Sequence, residues 1–350
     1  MKLGILGLPQ TGKSTIFAAL TGARGKEKDQ NQRASRTDPR IGTVRVADER
    51  VDFLTKTFSP NKTTYAQVEY LLPSQIATDA QARSENVILN RVRVCDALIH
   101  VIRNFQGPGG IASTPESDFR RLEEEMILSD LVVAEKRIER IELDAKRGKK
   151  REEEEYSLIK LCRELLENNQ PLRLRNELAS EPALRGFTFL SAKPQLVIIN
   201  NDDDDESLPE WKLKPEKVEM LVVRGRIEME ILSLSHEEAE EFRVAYHIEK
   251  SAVDQVIKSS YRLQNLISFF TVLNKEVRAW TIIEGTSALE ASGAVHSDMQ
   301  RGFIRAEVLS FAHLKEYGSF QEAKKVGLVN LEGKEYLVQD GDIINFRFNI

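Results

Sequence analysis

Residues 7–15, GLPQTGKST, place two glycines, a lysine and three hydroxyl side chains close together near the N-terminus, two of the hydroxyls directly after the lysine. Their spacing matches the pattern G-x-x-x-x-G-K-[ST], a loop whose backbone N–H groups surround the phosphates of a nucleotide. In that pattern the lysine contacts the β- and γ-phosphates, and the hydroxyl directly after the lysine ligates Mg²⁺. The match predicts nucleotide binding, with Ser14 as the Mg²⁺ ligand, through Gly7, Gly12, Lys13, Ser14 and Thr15.

The residues on either side of this loop predict the strand and the helix that a phosphate-binding loop requires. The apolar residues 3–6 predict a buried strand before the loop, and residues 16–20 are compatible with a helix after it. In this order the loop N–H groups and the positive end of the helix face the phosphates. Two more apolar runs, residues 97–102 and 195–199, predict further strands of a parallel sheet. We expect His100, inside the first run, to be a core residue.

The second of these runs ends at Asn200, and an acid follows three residues later at Asp203. In many phosphate-loop NTPases an asparagine at the end of a strand binds the purine, and an acid at this spacing accepts hydrogen bonds from the N–H groups of guanine. Asn200 and Asp203 are therefore candidate base-binding residues. The alternative for residues 202–206 is an ordinary solvated acidic loop.

Length, composition and charge narrow the class of protein. The chain has 350 residues, of which 41% are hydrophobic, and this predicts two or three folded domains. Its net charge of −5 argues against a surface that binds nucleic acid throughout. Cys95 and Cys162 alone give no disulfide framework, and no run of about 18 apolar residues predicts a membrane helix. Because the N-terminus also lacks a signal-peptide core, we expect a cytoplasmic protein without a membrane partner.

A charged helical segment, residues 117–185, separates the predicted strands. Apolar residues at alternating spacings of three and four predict the seam of a coiled-coil hairpin that turns at Gly148, formed by Leu131, Ala134, Ile138, Ile141 and Ala145 on one helix and Leu158, Leu161 and Leu165 on the other. The tip is basic, with Lys146, Arg147, Lys149, Lys150 and Arg151. It is either a solvated turn or a contact for RNA phosphates.

The pattern of apolar residues in the C-terminal part predicts a small mixed β domain. Alternating or clustered apolar residues predict strands at 276–283, 303–308, 336–338 and 343–348, and a helix at 314–325. Asp340-Gly341 predicts a tight turn before the last strand. Since this part contains no acid–base or nucleophile constellation, we interpret it as a binding module.

These residues together resemble the YchF/Obg-like ATPase family over nearly the whole chain. The resemblance is most specific in KEVRAWT at 275–281, GFIRAEV at 302–308 and VQDGD at 338–342, and it extends to residues 7–15 and 96–103. It implies an α/β fold in which a P-loop NTPase G domain, residues 1–116 and 186–273, is interrupted by the helical coiled-coil hairpin at 117–185. A β-grasp (ubiquitin-like) TGS domain, residues 274–350, follows. The family also implies Mg²⁺, a preference for ATP over GTP, and association with ribosomes in the cytoplasm.

The chain departs from the family's pattern at several positions. Leu72 and Gln75 occupy the places of the Asp and Gly in the family's Asp-x-x-Gly motif, and leucine cannot hold a metal-bound water. Asp203 stands where the family has Glu, which is closer to the guanine-binding pattern. The loop at 106–112 lacks the family's histidine, and Arg36 falls at the place of its switch threonine.

Three hypotheses therefore remain open at the level of sequence. The first is a slow, ribosome-associated NTPase that binds ATP or GTP, with RNA contact through the hairpin tip and the TGS domain. The second is a nucleotide-binding scaffold that has lost hydrolysis, as Leu72 and the histidine-free loop suggest. The third is an interaction protein that no longer binds nucleotide, which the complete pattern at residues 7–15 makes the weakest of the three.

Overall fold

The structure is a computed structural model that describes residues 2–22, 38–74, 81–246, 248, 251–273 and 275–349. The chain forms two compact units. The first contains Met1–Thr43 and Glu69–Val256, and the second contains Val44–Val68 and Ile257–Ile350. Within the described residues, none of the helices combines the length and apolar character needed to span a lipid bilayer.

The described residues contain twelve strands, which are, in chain order, β1 (Lys2–Leu6), β2 (Arg40–Arg45), β3 (Lys62–Thr64), β4 (Gln67–Leu72), β5 (Ala97–Asn104), β6 (Gln195–Asn201), β7 (Val218–Val223), β8 (Leu266–Leu273), β9 (Glu276–Ile283), β10 (Phe303–Ser310), β11 (Asn330–Glu332) and β12 (Asp342–Phe348). The α-helices are α1 (Lys13–Thr21), α2 (Glu49–Phe58), α3 (Gln81–Val92), α4 (Pro115–Lys146), α5 (Glu153–Glu167), α6 (Asn176–Ala179), α7 (Gly225–Ile231), α8 (His236–Ala245), α9 (Ala252–Arg262), α10 (Ala288–Val295), α11 (Ser297–Arg301), α12 (Phe311–Tyr317) and α13 (Phe320–Lys325).

The first unit is built on a six-stranded sheet with the order β2-β4-β1-β5-β6-β7. β1 pairs in parallel with β4 and β5, and β6 pairs in parallel with β5 and β7. The central strands β5 and β6 are buried along almost their whole length, as expected for a parallel sheet covered on both faces. The sequence-based strands at 3–6, 97–102 and 195–199 are thereby confirmed.

His100 lies in the core of this sheet, which confirms its assignment as a core residue. Its ring stacks on Phe119 with the ring centres 5.3 Å apart, and its Nδ1 is 3.4 Å from Nε2 of Gln195. Burial lowers the pKa of His100 to about 3, and the nearby charges of Lys13 and Arg173 act in the same direction. The imidazole is therefore neutral at physiological pH.

The helices α4 and α5 fold back on each other around a turn at Gly148, whose φ of 86° suits glycine. Arg137 of α4 binds Glu155 of α5 at 2.7 Å in two hydrogen bonds. The apolar seam between the helices contains Ala134, Ile138, Tyr156, Ile159, Cys162 and Leu165.

The prediction is wrong for Ala145 and Leu161, which are exposed. The seam of α5 runs through Tyr156, Ile159 and Cys162. Leu161 precedes Cys162 by one position and so points about 100° away from it around the helix.

The second unit is a mixed sheet with the order β11-β10-β12-β8-β9-β3. Most of its pairs are antiparallel, whereas β12 pairs with β8, and β3 with β9, in parallel. Its core contains Phe269, Ala288, Ala306, Val308, Ile344 and Phe346. The strands predicted at 276–283, 303–308 and 343–348 are confirmed, and so is the turn at Asp340-Gly341, where Gly341 has a φ of 94°.

Two predictions for this unit fail. Residues 336–338 form no strand, since Leu337 makes only an isolated bridge to Ser287. The helix predicted at 314–325 is divided into α12 and α13, because Gly318 adopts a left-handed conformation, with a φ of 74°, after α12.

Candidate nucleotide-binding site

The glycine loop joins the carboxyl end of β1, a central strand of the first unit's sheet, to the start of α1. Gly7 and Gly12 have positive φ values of 152° and 87°. A Cβ atom on Gly7 would lie 2.3 Å from the carbonyl oxygen of Val101, and one on Gly12 would lie 2.2 Å from Nδ2 of Asn200. Only glycine fits at these two positions, so the loop backbone can stay close to its neighbours and expose its N–H groups.

Lys13 is the first residue of α1, and its side chain folds back over the loop. Its ammonium group donates a hydrogen bond to the carbonyl oxygen of Leu8, which also accepts one from Oγ1 of Thr11 at 3.1 Å. Burial lowers the pKa of Lys13 to about 8. In the first turn of α1, Ser14 is exposed and Thr15 is half-buried. The loop therefore has a cation at its centre and an accessible hydroxyl beside it.

Asn200 connects this loop to the end of β6. Its side chain is buried, its Nδ2 donates to the carbonyl oxygen of Thr11 at 3.1 Å, and its Oδ1 accepts from the N–H of Gly225 at 3.0 Å. Both hydrogen-bonding atoms of the amide group are thus engaged by backbone groups. The structure brings Asn200 to the glycine loop, as its position at the carboxyl end of a strand predicts.

Asp203 lies in the acidic loop that follows β6. One of its carboxylate oxygens is 3.4 Å from Nε of Arg226, and its carbonyl oxygen accepts a hydrogen bond from Arg224 at 3.2 Å. Arg224 also pairs with Glu206 at 2.8 Å. Two arginines therefore contact the acidic loop, in which Asp202, Asp204 and Glu206 are exposed.

Among the described residues, neither Leu72 nor Glu69 adds a metal ligand at the loop. Leu72 is buried at the end of β4. Glu69 is paired with Lys2 in the sheet register and binds its ammonium at 2.8 Å, so it lies at the opposite end of the strands from the glycine loop. Gln75 and Arg36 lie outside the described residues. Within the described part of the chain no group of three or more His, Cys, Asp or Glu residues is arranged for a metal ion.

Comparisons with known proteins agree over the full length. The "Ribosome-binding ATPase YchF" of Bacillus subtilis (strain 168) is 36% identical, over 99% of each chain. The protein of the same name from Escherichia coli O157:H7 is also 36% identical, over 100% of this chain and 99% of the relative. This chain belongs to the YchF family. The family model YchF-GTPase_C, described as "Protein of unknown function (DUF933)", matches residues 266–349.

The fold is also that of a solved YchF structure. The YchF GTPase of Schizosaccharomyces pombe matches with a TM-score of 0.82 and 26% identity, over 99% of this chain and 97% of that chain. The α/β architecture with two sheets is therefore shared with a YchF protein.

Sequence reasoning missed two contributors to this YchF site. Thr11 occupies a variable position of the loop pattern, but it is buried and its carbonyl oxygen is the acceptor for Asn200. Gly225 begins α7, one residue beyond the end of β7, and a Cβ there would lie 2.9 Å from Oδ1 of Asn200. Gly225 could have been found from the sequence, because it follows an apolar strand closely and ligands bind beyond the carboxyl ends of such strands.

Proposed function

We propose that this chain binds a purine nucleoside triphosphate, ATP or GTP, with Mg²⁺ at the glycine loop, and that it associates with ribosomes. The observation that carries the nucleotide assignment is the loop itself. Two positive-φ glycines, a lysine at the helix start and an exposed Ser14 lie in the order that triphosphate binding requires. Gly7, Gly12, Lys13, Ser14 and Thr15 would bind the phosphates and Mg²⁺.

The base would lie beside the carboxyl end of β6. Asn200 and Asp203 are the proposed base contacts, and the exposed Arg226 lies 3.4 Å from one of the two carboxylate oxygens of Asp203. Names of relatives that contain "ATPase" support ATP, and the name of the solved GTPase supports GTP. Both nucleotides therefore belong in the test.

Hydrolysis would be slow, since phosphoryl transfer depends on charge stabilisation around the γ-phosphate. Lys13 supplies one charge, but the buried Leu72 at the end of β4 supplies none. A nucleotide-binding scaffold without hydrolysis is therefore the second candidate, and the observation that favours it is the burial of Leu72.

Ribosome association follows from the names of the relatives, and it supports a cytoplasmic location. For the parts of the chain we propose a G domain at 1–116 and 186–273, a coiled-coil hairpin at 117–185 and a β-grasp TGS domain at 274–350. By packing, Val44–Val68 belongs to the same compact unit as the C-terminal part.

The tip of the hairpin is a proposed RNA contact. Lys146, Arg147 and Lys150 are exposed there, while Lys149 pairs with Asp144 at 3.1 Å and Arg151 with Glu153. Lys146, Arg147 and Lys150 therefore remain without an ion-pair partner among the described residues, which suits phosphates of ribosomal RNA, while the neighbouring Glu152–Glu155 weaken this attraction.

Titration calorimetry with ATP and GTP, with and without Mg²⁺, tests the nucleotide assignment. We expect Mg²⁺-dependent binding to the wild-type protein, loss of binding in Lys13→Ala, and unchanged binding in Lys258→Ala, which removes an exposed lysine of α9. No heat with either nucleotide would leave only the third hypothesis, an interaction protein.

If binding is found, phosphate release separates the two candidates. A turnover above that of Lys13→Ala identifies an enzyme, whereas an equal rate identifies the scaffold.

Ribosome pelleting tests the tip of the hairpin. The double substitution Lys149→Glu with Lys150→Glu should reduce the fraction of protein bound to ribosomes. Lys136→Glu with Arg140→Glu, exposed on the side of α4, makes the same charge change and should not.

A further inference from the structure

Two arginines stand directly opposite each other on neighbouring strands of the second unit. In the antiparallel register of β10 and β12, Arg305 is paired with Arg347, and Glu307 with Asn345. Directly opposite residues project from the same face with their Cβ atoms about 5 Å apart, and like charges in such a pair repel. The register therefore concentrates positive charge at one place on the sheet.

Both arginines lie on the face opposite to the apolar cluster that contains Phe269 and Ala288, at the end of the strands away from the buried pair Leu309 and Ile343. The alternate residues Ala306, Val308, Ile344 and Phe346 fill that core. Residues that alternate with them point to the other face, where both arginines are exposed.

The buried carboxylate of Glu307 binds two of the cations on this face. Glu307 is 3% exposed and accepts hydrogen bonds from Arg347 at 2.6 Å, from Lys324 of α13 at 2.8 Å and from Asn345 at 2.9 Å. Glu307 thus pairs with two cations, Arg347 and Lys324, and Arg305 stands opposite Arg347 in the register. Within the described part of the chain, Arg305 has no hydrogen-bond or ion-pair partner of its own.

We infer that Arg305, Arg347 and Lys324 form an RNA phosphate-binding patch on the second unit. This inference rests on the proposed ribosome association and names a surface for it. Two guanidinium groups side by side suit phosphate oxygens, which they can bind in pairs. Leu331 of β11 is opposite Glu307 in the register and 57% exposed, so it offers an apolar contact beside the cations.

The partner is RNA because the patch is an exception on an acidic chain. Three cations and one acid leave a local excess of two positive charges, whereas the whole chain carries −5. A protein partner with this net charge pattern would need a matching acidic surface, while a ribosome presents phosphates at every nucleotide.

Fluorescence anisotropy of the full chain with fluorescein-labelled U20 RNA tests the patch, with KCl varied from 50 to 200 mM. We expect Arg305→Gln to weaken binding about fivefold and to reduce the slope of log K against log salt by about 0.7, the value for one lost contact to single-stranded nucleic acid. Arg305→Lys should keep the slope. Arg301→Gln is the matched control, because Arg301 is an exposed arginine of α11 that pairs with Asp298; it should bind like the wild type.

An unchanged affinity and slope in Arg305→Gln overturns the inference, and so does an equal loss in Arg301→Gln. A fluorescein-labelled polyglutamate peptide of the same length as the RNA is the competing probe. If this peptide binds more tightly than U20, the partner is an acidic protein and the RNA assignment fails.

Ribosome pelleting and ATP titration of the same proteins separate this inference from the proposed function. Wild-type protein that pellets with ribosomes but does not bind U20 leaves the proposed function standing and removes the patch. RNA binding that depends on Arg305, in a protein that does not pellet with ribosomes, leaves the patch standing and removes the proposed ribosome association.

Discussion

Arg50 donates hydrogen bonds to both carboxylate oxygens of Asp340, at 2.7 and 3.2 Å, although 290 residues separate the two in the chain. The guanidinium group also binds Asp48 at 2.8 Å and lies over the ring of Phe270, 5.1 Å from its centre. Asp340 in turn accepts a hydrogen bond from the N–H of Ser268 at 2.9 Å. This one side chain therefore fastens the start of α2 to the turn before β12 and to β8, all within the second unit.

Removal of this guanidinium should destabilise the second unit. We expect Arg50→Ala to lower its free energy of unfolding by about 2 kcal/mol, because a half-buried bidentate pair with a carboxylate is lost. Arg50→Lys should recover less than half of this, since an ammonium cannot bind both oxygens in the same plane. Urea unfolding followed by the fluorescence of Trp280, in a Trp211→Phe background, reports on this unit.

The control for that prediction is Arg301→Ala. Arg301 also pairs with a carboxylate, but its side chain is 78% exposed, so the change should stay within about 0.5 kcal/mol. An equal effect of the two substitutions would show that the geometry around Arg50 adds nothing to an ordinary surface pair.

The buried Glu307 should make the second unit sensitive to acid. Burial opposes its ionisation, but the hydrogen bonds from Arg347, Lys324 and Asn345 outweigh burial and lower the pKa of Glu307 to about 2. Since this pKa is below the ordinary value of 4.5, the ionised carboxylate stabilises the folded state above pH 4.5. That contribution, on the order of 3 kcal/mol, is lost as the pH falls from 4.5 towards 2.

Glu307→Gln tests this directly. We expect the variant to be less stable than the wild type at pH 6 and the difference to shrink as the pH is lowered towards 2.5, in urea titrations at each pH. Glu335→Gln, which changes an exposed acid of the same unit, should show no such convergence. A difference that stays constant with pH would contradict the stabilising role of the ionised carboxylate.

The parts of the fold that could be predicted are those encoded locally. β1, the glycine loop and α1 follow one another within residues 2–21, so their types and spacing are sufficient. Residues 266–273 form β8. In the sequence, however, apolar residues continue from α9 into this segment, and no change in their spacing marks where the helix ends and the strand begins. Residues 336–338 look like a strand but make one bridge, because strand formation depends on a partner that lies elsewhere in the chain.

The candidate site also has one part that is encoded locally and one part that depends on the folded sheet. Lys13 and Ser14 are predictable from the loop pattern alone. The connection from Asn200 to Thr11 joins residues 189 apart, and the bond from Gly225 completes it. No local pattern contains that geometry, because the sheet brings the two ends together only after folding.

Asn200 should support the loop whether or not a base is bound. In Asn200→Ala the buried N–H of Gly225 and the carbonyl of Thr11 lose their partner, at a cost of about 1–3 kcal/mol for each buried group. We expect calorimetry to show an affinity lowered about tenfold for inorganic triphosphate, which has no base, and lowered further for ATP or GTP, whose base Asn200 is proposed to contact.

Asn201→Ala is the matched control. Asn201 is also buried, but its Nδ2 donates to carbonyl oxygens of Asp205 and Ser207 in the acidic loop, so triphosphate binding should be unchanged. If Asn200→Ala weakens ATP or GTP but leaves triphosphate binding intact, Asn200 contacts the base and is not needed for the loop.

The affinity for nucleotide should fall at alkaline pH because of Lys13. Burial lowers its pKa to about 8 in the unliganded protein, so the charged form declines from roughly 90% at pH 7 to roughly 10% at pH 9. The phosphates bind the charged form, and Kd should therefore rise about tenfold across this range. Titration of the phosphate itself acts in the opposite direction, because its last proton leaves near pH 6 to 7 and raises its negative charge.

Calorimetry of ATP binding at pH 8 in two buffers of different ionisation enthalpy provides a second measure of the same event. Binding should be accompanied by uptake of about half a proton, since the bound phosphates raise the pKa of Lys13 again. Lys193→Gln removes another lysine whose pKa burial lowers, one that donates to the carbonyl of Cys95, and it should leave the uptake unchanged. An affinity that is flat from pH 7 to 9, with no proton uptake, would mean that Lys13 is fully charged before the nucleotide arrives.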